Sequence, residues 1–351
     1  MDKERVKFFA GKVFGDMAGT MASGMAYVGV QTGLFRTLAG AGPLALDAIV
    51  GASGLQRRYV EEWLKGMVCA GYLDFDPQQE TYELPPEHAY LLASEGSDHY
   101  VGGLYKMAPL LLRAAPSVAD AFTRGGGIRF SDYGPEMVDA LDTINMGQYT
   151  NRLVDYWLKE LPQVSERLEL GGRILDIGCG VGRVALALAQ AFPGAEVVGI
   201  DPDQESIERA IALAHEAALA ERVDYHAKTT RDLEAGEGFD LITACDCIHD
   251  FSAPLETLIE IRSLLRPDGS LFVIEPKVAS RLEDNIHAVP TMFYGFSLFH
   301  CMTQSLAEGG EGLGTCMGPE AMRALLGDAG YTRVQTLNIK SQVNLFYQAQ
   351  P

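Results

Sequence analysis

The stretch Arg173-Ile-Leu-Asp-Ile-Gly-Cys-Gly-Val-Gly-Arg183 decides the fold of this chain. It joins a short apolar strand to alternating glycines, and residues 184–192 read as the helix that follows. Glycine accepts a positive φ and lets a ligand approach the backbone, next to the free N–H groups that begin a helix. A second apolar strand, residues 196–200, ends in Asp201, which is placed to receive a ribose hydroxyl pair. The pattern predicts a nucleotide-type pocket.

The glycine turn suits two ligands, and one carboxylate distinguishes them. Read from Gly180 as Gly-x-Gly-x-x-Ala, the turn satisfies the loose dinucleotide fingerprint, with Asp201 at a suitable distance for NAD. Read from Asp176 as Asp-x-Gly-x-Gly-x-Gly, it places an acid directly before the turn. A pyrophosphate at a helix N-terminus needs donors and no nearby anion, whereas the amino group of a methionine tail attracts a carboxylate. Asp176 therefore favours S-adenosylmethionine.

Further strands follow in the second half of the chain, separated by helical segments, at residues 223–226, 239–245 and 271–275. The chain closes with two more strands, residues 333–339 and 344–349, where a dehydrogenase would continue with another parallel unit. With the turn Arg266-Pro-Asp-Gly269, this order resembles the class I S-adenosylmethionine-dependent methyltransferases. The resemblance implies an α/β fold, with a Rossmann-like seven-stranded sheet that ends in an antiparallel hairpin.

Residues 44–86 resemble a winged helix. Leu46, Ile49 and Val50 lie at helical spacing, residues 57–68 read as a second helix, and residues 72–75 and 81–84 flank a polar turn. In small-molecule O-methyltransferases such an N-terminal domain serves dimerisation, which implies a homodimer. The whole pattern is also similar to a mycobacterial-type group of two-domain methyltransferases. We expect a mainly α winged-helix dimerisation domain over residues 1–93, a helical connector over 94–150, and a methyltransferase domain over 151–351 with a lid insertion at about 278–317.

Length, charge and cysteine content limit the possible partners. At 351 residues the chain exceeds one usual domain, and its net charge of −19 argues against nucleic acid, which requires a basic face. The six cysteines lack paired zinc spacing and no signal peptide precedes them, which predicts a cytoplasmic protein. The uncharged residues 17–35 have the length of a membrane span, yet their glycines and hydroxyls predict a dimer-forming or core helix and no membrane partner.

Candidate catalytic residues follow the fourth strand, because ligands of open α/β sheets lie at the carboxyl ends of strands. The segment there, Cys245-Asp-Cys-Ile-His-Asp-Phe251, resembles the His-Asp-Trp segment of O-methyltransferases, in which the histidine acts as base on the acceptor hydroxyl. His249 and Asp250 match it, and a phenylalanine replaces the tryptophan. The resemblance matches the family's next acid to Glu275, and a Gly-Gly-x-Glu segment, one residue out of register, to Glu311. A histidine of pKa near ~6.5 is mostly neutral and can accept a phenolic proton.

The other candidate residues are grouped by the ligand that they are expected to contact. The expected cofactor contacts are Asp176, Gly178, Cys179, Gly180, Gly182, Asp201, Pro202, Thr230, Asp232 and Asp246. The expected acceptor contacts are Tyr133, Tyr149, Phe293, Phe296, His300 and Cys301. The segment 290–302 is rich in aromatic residues and methionine, which suits either core packing or the wall of an acceptor pocket. A soft-metal site was weighed for the cysteines and histidines of these segments, but buried cysteines usually pack as small hydrophobes, so no metal is expected.

We therefore expect S-adenosylmethionine-dependent transfer of a methyl group to a small-molecule acceptor, by O-methylation with His249 as general base. Two alternatives stay open. A sulfide or small thiol acceptor ionises near neutral pH and needs little help from a base. A ligand-sensing transcriptional regulator would use the enzyme domain to bind a metabolite and the winged helix to bind DNA.

Overall fold

The computed structural model describes residues 1–234 and 236–351, which form two compact units. One unit comprises Met1–Leu110 and Thr143–Gly147, and the other comprises Leu111–Asp142 and Gln148–Pro351. Residues 94–150, which were expected to form a connector, are therefore divided between the two units. The boundary at Leu110 falls inside a single long helix, Gly102–Arg124.

The first unit contains the winged helix. Its helices are α1 (Lys3–Gln31), α2 (Leu34–Leu38), α3 (Leu46–Ser53), α4 (Arg57–Cys69) and α5 (Pro86–Leu92). A small sheet of order β1-β3-β2 joins β1 (Leu44–Ala45), β2 (Asp74–Asp76) and β3 (Thr81–Glu83). The helices enclose a core in which Phe35 meets Trp63 edge to face, with ring centroids 5.2 Å apart. Helices α3 and α4 and the hairpin of β2 and β3 confirm the expected winged-helix architecture.

Helix α1 leaves most of its surface exposed. Its buried residues are Ala26 and Gly29, and a Cβ at Gly29 would come within 2.5 Å of the Trp63 ring. Upstream, three aromatic side chains are 80%, 63% and 77% exposed, namely Phe8, Phe9 and Phe14. The uncharged segment 17–35 thus belongs largely to a longer helix that begins in a charged stretch. Among the described residues, no helix combines the length and hydropathy that crossing a membrane requires.

The second unit is built on a seven-stranded sheet of order β6-β5-β4-β7-β8-β10-β9. The strands are β4 (Arg173–Ile177), β5 (Glu196–Asp201), β6 (Val223–Ala227), β7 (Phe239–Cys245), β8 (Leu265–Pro276), β9 (Arg333–Thr336) and β10 (Asn344–Gln350). Strands β4 to β8 pair in parallel, and β10 runs antiparallel to both of its neighbours. This topology confirms the Rossmann-like sheet and its terminal antiparallel hairpin.

Helices pack on both faces of that sheet, and those in contact with its strands are α8 (Pro162–Glu169), α9 (Arg183–Ala191), α10 (Gln204–Glu216), α11 (Pro254–Leu264) and α14 (Gly318–Asp328). The other helices after the winged helix are α6 (Gly102–Arg124), α7 (Pro135–Arg152), α12 (Ala288–Phe296) and α13 (Met302–Ala307). Ile174 and Leu175 are consecutive in β4, and they belong to two different core clusters. Successive side chains of a strand point to opposite faces, so each face of the sheet carries its own core. Strands that are buried on both faces read as continuous apolar runs, which is why the sequence pattern locates them.

Strand β8 differs from the expectation. It begins at Leu265 and includes the stretch 266–269 that was read as a turn before the strand. Its pairing with β7 shifts register there, since Phe239 faces Leu265 whereas Leu241 faces Ser270. Between β8 and α14, the expected lid insertion contains α12, α13 and a π-helical turn, Ser297–Cys301, that joins them.

Candidate active site

The glycine turn after β4 opens toward solvent at its middle. Gly178, Gly180 and Gly182 have positive φ values of 62°, 51° and 82°. A Cβ at Gly178 would lie 2.8 Å from that of Cys247, and one at Gly182 would lie 2.3 Å from the hydroxyl of Tyr225. At Gly180 nothing lies within 4 Å of the position that a Cβ would take. The turn is therefore held tightly at both ends, and its central backbone is accessible to a ligand.

Two acids flank this turn. Asp176 is buried in β4, where Oδ1 accepts a hydrogen bond from the Thr243 hydroxyl at 2.7 Å. Its Oδ2 is buried without a hydrogen-bond partner in the described part of the chain. Asp201, at the end of β5, accepts from the backbone N–H groups of Gly180 and Asp203, both at 2.9 Å. Burial raises the pKa of Asp176 to about 7 and the pKa of Asp201 to about 6, and a nearby cation would favour their charged forms.

A third acid, Asp246, follows β7. Its φ of 52° is unusual for a residue other than glycine, and its N–H donates to the Ile274 carbonyl at 2.8 Å. The carboxylate accepts from the Tyr149 hydroxyl at 2.6 Å and from the Asn344 amide at 3.3 Å. Burial raises its pKa to about 6. Tyr149, which was expected to contact the acceptor, thus has its hydroxyl committed to an acid of the expected cofactor set.

These residues fit S-adenosylmethionine, which carries positive charge on its amino and sulfonium groups. The unpartnered oxygen of Asp176 is a strong acceptor for an ammonium group, and a buried acceptor left without a partner is costly. The open backbone at Gly180 offers the space that a ligand fills. Asp176, the turn around Gly180, Asp201 and Asp246 are the residues that would hold the cofactor.

Two further cofactor candidates, Cys179 and Pro202, lie beside the glycine turn and Asp201. The Cys179 N–H donates to the Ile200 carbonyl at 3.0 Å. Its Sγ lies 3.2 Å from the position that a Cβ on Gly199 would take, so the side chain faces β5. Pro202 is exposed, directly after Asp201. A cofactor contact of Cys179 would therefore be limited to its backbone.

The two expected adenine contacts are engaged elsewhere. The buried Thr230 hydroxyl donates to Glu260 at 2.5 Å. Asp232 is exposed, and one of its oxygens accepts from both the N–H and the hydroxyl of Thr229 at 2.9 Å, which completes a capping box. The structure thus shows local hydrogen bonds for both side chains, and their contact with the cofactor stays a prediction.

His249 lies in a short turn after β7, between two acids. Its Nδ1 is 2.5 Å from Oε2 of Glu275, whose Oε1 accepts the Ile248 N–H at 3.1 Å. On the other side of the ring, Nε2 is 3.5 Å from Oδ1 of Asp250. The side chains of His249 and Glu275 are each 5% exposed. Because the Glu275 carboxylate can only accept, Nδ1 carries a proton and Nε2 is the nitrogen left for chemistry.

The charge of His249 differs from the expectation. Burial alone would lower its pKa, but the Glu275 and Asp250 carboxylates outweigh burial and raise the pKa of His249 well above its ordinary value. The two carboxylates therefore favour the imidazolium form of His249, whereas the sequence predicts a mostly neutral ring. The acid that orients the ring is Glu275. Glu311 is exposed, and its N–H donates to the Ser252 carbonyl at 3.0 Å, so the orienting role considered for Glu311 is not supported.

The π-helical turn Ser297–Cys301 brings Cys301 to the same place. Cys301, Asp250 and His249 each offer one ligating atom, and these atoms lie within 4.8 Å of one another. The Cys301 sulfur is 3.6 Å from Nδ1 of His300, a buried residue whose Nε2 has no hydrogen-bond partner among the described residues. Two of the expected acceptor residues, His300 and Cys301, are thus gathered beside the catalytic candidates.

The remaining acceptor candidates are divided between this place and α12. The Tyr133 ring lies 4.9 Å from that of His300, and its hydroxyl donates to the Phe299 carbonyl at 2.5 Å. Phe293 and Phe296 pack edge to face with ring centroids 6.1 Å apart. Tyr133 therefore lies against the His300 ring, whereas the two phenylalanines of α12 pack against each other, and their contact with the acceptor stays a prediction.

Sequence reasoning missed three residues that support the site: Thr243, Tyr225 and Asn344. Thr243 is a polar residue inside an apolar strand, and it pairs with Asp176 across β4 and β7. Alignment of β4 with β7 in this pairing register would have identified Thr243 as the partner of Asp176. Tyr225 donates to the Gly182 carbonyl at 2.8 Å, and Asn344 opens β10. Neither of these two carries a local signal, because each acts on a residue far away in sequence.

Comparison with known proteins agrees with this geometry. A methyltransferase-domain family matches residues 168–323, and an Rv2258c-like winged HTH domain family matches residues 20–94. The ubiquinone biosynthesis O-methyltransferase of Xanthomonas euvesicatoria is 35% identical over 116 residues, which cover 32% of this chain and 47% of that protein. The chain thus matches less than half of the length of this curated relative.

Solved structures extend the similarity to the whole chain. Mitomycin 7-O-methyltransferase superposes with a TM-score of 0.71 at 19% identity, over 99% of this chain and 100% of that one. Human N-acetylserotonin methyltransferase, solved in complex with S-adenosylmethionine, gives a TM-score of 0.69 at 18% identity over 100% and 98% of the two chains. At such identities the likeness shows the fold. The chain therefore carries an N-terminal Rv2258c-like winged helix-turn-helix domain followed by a methyltransferase domain.

Proposed function

We propose that this protein is an S-adenosylmethionine-dependent methyltransferase that methylates a hydroxyl oxygen of a small molecule, with His249 as the general base. The observation that carries the proposal is the buried pair of Glu275 and His249, in which Oε2 of Glu275 lies 2.5 Å from Nδ1 of His249. His249 lies only three residues after Asp246, one of the acids that would hold the cofactor, and Glu275 lies near the end of the neighbouring strand β8. A base and a cofactor pocket thus meet at the carboxyl edge of the sheet.

Bound S-adenosylmethionine would supply an electrophilic methyl group. The chain positions the acceptor and removes its proton, and positioning alone contributes much of the rate of an in-line displacement. The acceptor hydroxyl gives its proton to Nε2 of His249, and the Glu275 carboxylate stabilises the imidazolium that forms. Glu275 also fixes the ring so that Nε2, and not Nδ1, faces the acceptor.

The raised pKa of His249 sets the pH range of this reaction. Below that pKa the ring already holds a proton and cannot accept another, so the active fraction grows as the pH rises. The same carboxylates that raise the pKa make the neutral ring a stronger base. Methyl transfer is therefore expected to favour alkaline pH.

Replacement of His249 tests the base directly. His249→Ala should lower kcat about 10²- to 10⁴-fold with a weakly acidic phenol, and less with a more acidic phenol that needs less help to ionise. Labelled S-adenosylmethionine and a panel of phenols, thiols and sulfide measure both the acceptor class and the rates. His215→Ala, at an exposed histidine of α10, is the matched control. Turnover of a weakly acidic phenol by His249→Ala within a few fold of wild type would exclude the base role.

The same panel separates the alternatives. A thiol acceptor would show turnover that hardly depends on His249, because the thiolate forms without a base. The regulator alternative gains no support from α4, whose cations form ion pairs, Arg57 with Asp47, Arg58 with Glu62 and Lys65 with Glu61. Cations already paired on the surface supply little attraction for phosphates.

We further propose that the protein is a homodimer in which α1 meets a second copy of itself. Phe8, Phe9 and Phe14 expose apolar area on this helix, and Gly11, Gly15 and Gly19 recur every four residues with open space beside each among the described residues. Small residues at that spacing let two helices approach closely. Sedimentation of Phe8→Asp/Phe14→Asp should show monomer, whereas Phe122→Asp, at a residue of α6 that is 78% exposed, should leave the dimer intact. A dimer that survives the α1 changes would reject this interface. The domain boundaries and the cytoplasmic location stay predictions.

A further inference from the structure

We propose that His249, Asp250 and Cys301 form a binding site for a thiophilic divalent cation of the Zn²⁺ class. Their ligating atoms lie within 4.8 Å of one another. An imidazole nitrogen, a carboxylate oxygen and a thiolate sulfur are the three kinds of ligand that Zn²⁺ takes in proteins. Such a site goes beyond methyl transfer, which needs none of these groups to bind a metal.

The histidine is already oriented as a ligand. In metal sites, the ring nitrogen that does not bind the ion usually donates to a carboxylate, which fixes the tautomer and the direction of the other nitrogen. Glu275 supplies this support, since its Oε2 lies 2.5 Å from Nδ1 of His249. The Ile248 N–H in turn holds Glu275 at 3.1 Å. Nε2 is therefore presented toward Asp250 with its supporting residues in place.

Independent support comes from polar atoms that lack partners. Oδ1 of Asp250, 3.5 Å from Nε2 of His249, is a buried oxygen without a hydrogen bond in the described chain. Next to Cys301, Nε2 of His300 is equally unpartnered, and His300 is only 3% exposed. Buried polar atoms of this kind are rare and call for a bound species. A cation between Asp250 and Cys301 satisfies the Asp250 oxygen directly.

The binding step balances in charge. Zn²⁺ displaces one proton from the His249 imidazolium and one from the Cys301 thiol, and both protons pass to solvent. The two positive charges of Zn²⁺ thus replace those of the two released protons, and the net charge of the buried cluster is unchanged. Zinc–nitrogen and zinc–sulfur bonds of about 2.0 and 2.3 Å place ligating atoms roughly 3.5 Å apart, so rotation of the Cys301 and Asp250 side chains by about 1 Å completes the site. The fourth position of a tetrahedron is left for water.

A metal at this place would occupy the nitrogen that accepts the acceptor's proton. Zn²⁺ would therefore inhibit methyl transfer, a consequence that rests on the proposed function. The binding itself does not depend on that function, because it is measured without cofactor or acceptor.

Cobalt(II) is a suitable probe, because thiolate coordination gives it a sulfur-to-metal charge-transfer band. The full-length protein, freed of metal with a chelator and kept reduced, should take up one equivalent of Co²⁺ with that band. Cys301→Ser should lose the band, whereas Cys69→Ser, at an exposed cysteine of α4, should keep it. Glu275→Gln should bind Co²⁺ about 10- to 100-fold more weakly. Thermal unfolding of each variant confirms that it is folded.

Absence of the band from the wild-type protein, or its persistence in folded Cys301→Ser, would overturn the proposal. Equal affinity in Glu275→Gln would remove the support assigned to that carboxylate. A second arm adds Zn²⁺ to the methyl transfer assay, in which one equivalent should inhibit and a chelator should restore the rate. Failure to find any methyl acceptor leaves the cobalt spectra intact as a test, so the two proposals fail separately.

Discussion

Replacing Glu275 by Gln tests the catalytic pair with little change of shape. In the wild type, both carboxylate oxygens accept hydrogen bonds, one from the Ile248 N–H and one from Nδ1 of His249. A glutamine has one accepting oxygen and one donating NH₂ group. Whichever way the amide is turned, its NH₂ faces a donor. If it faces the ring, the proton moves from Nδ1 to Nε2, and the nitrogen that serves as base is blocked.

The lost charge also moves the pH profile. Two unit charges 4 Å apart interact by about 4 kcal/mol at an effective dielectric constant of 20, and about 1.36 kcal/mol corresponds to one pKa unit. Because His249 is inactive as a base below its raised pKa, activity rises as the pH increases through that pKa. Without the Glu275 charge, the rising limb of kcat/KM should move to lower pH by roughly one to three pH units, since Asp250 remains. The plateau should fall about 10²- to 10⁴-fold.

The assay is the transfer of labelled methyl groups to a phenol, measured across the neutral and alkaline range. Glu275→Asp keeps the negative charge, so the rising limb of its kcat/KM profile should stay at alkaline pH. Glu311→Gln changes an exposed acid and should leave both the limb and the plateau as in the wild type. A Glu275→Gln profile that coincides with the wild-type profile would refute the coupling between these two residues.

Three other predictions concern the cofactor pocket. The pKa values of Asp176 (about 7) and Asp246 (about 6) lie above their values in the unfolded chain, so the stability that these groups contribute is present at acid pH and is lost as the pH rises toward 7. Cationic S-adenosylmethionine should therefore bind more tightly as the pH rises through this window, which calorimetry measures; an affinity independent of pH would contradict it. Thr243→Val leaves Oδ1 of Asp176 unpartnered and should lower the free energy of unfolding by about 1–3 kcal/mol in denaturant titrations, and an unchanged midpoint would show that the bond contributes nothing. Gly180→Ala should cost only about 1–2 kcal/mol of stability at its positive φ yet weaken cofactor binding, because its methyl group enters the open space; wild-type affinity would place the ligand elsewhere.

The sheet could be predicted from the sequence because its strands are buried on both faces. Residues 239–245 are apolar apart from Asp240 and Thr243, and β7 spans the expected bounds. The glycine turn was equally clear, since glycine adopts positive φ values such as those found there without steric cost. The start of helix α1 is harder to predict from the sequence. Hydropathy marks only the uncharged segment 17–35, because charged residues interrupt the first turns, whereas the helix begins at Lys3 with Asp2 as its cap.

The candidate site was predictable in its members but not in their pairings. His249 follows β7 and Glu275 lies in β8, and these neighbouring strands end at the same edge of the sheet, which local patterns indicate. The charge of His249 depends on how deeply two carboxylates are buried beside it, and no local pattern encodes that depth. The hydrogen bond from Tyr149 to Asp246 joins residues 97 positions apart. Contacts of this range become visible only when the chain is folded.

The π-helical turn Ser297–Cys301 allows the residues at one side of the site to be exchanged by a change in chain length. A π turn holds one residue more than an α turn, so the extra residue is accommodated within the wider turn. Loss of one residue there would restore regular α-helical bonding and change which residues of the turn face the site, with little change in the direction of the later side chains. Cys301 and His300 would be replaced at the site by their neighbours, while β4, β5 and β7 kept their acids. Deletion or insertion of a single codon can therefore change the side of the pocket formed by the π-helical turn and leave the side formed by the strand ends unchanged.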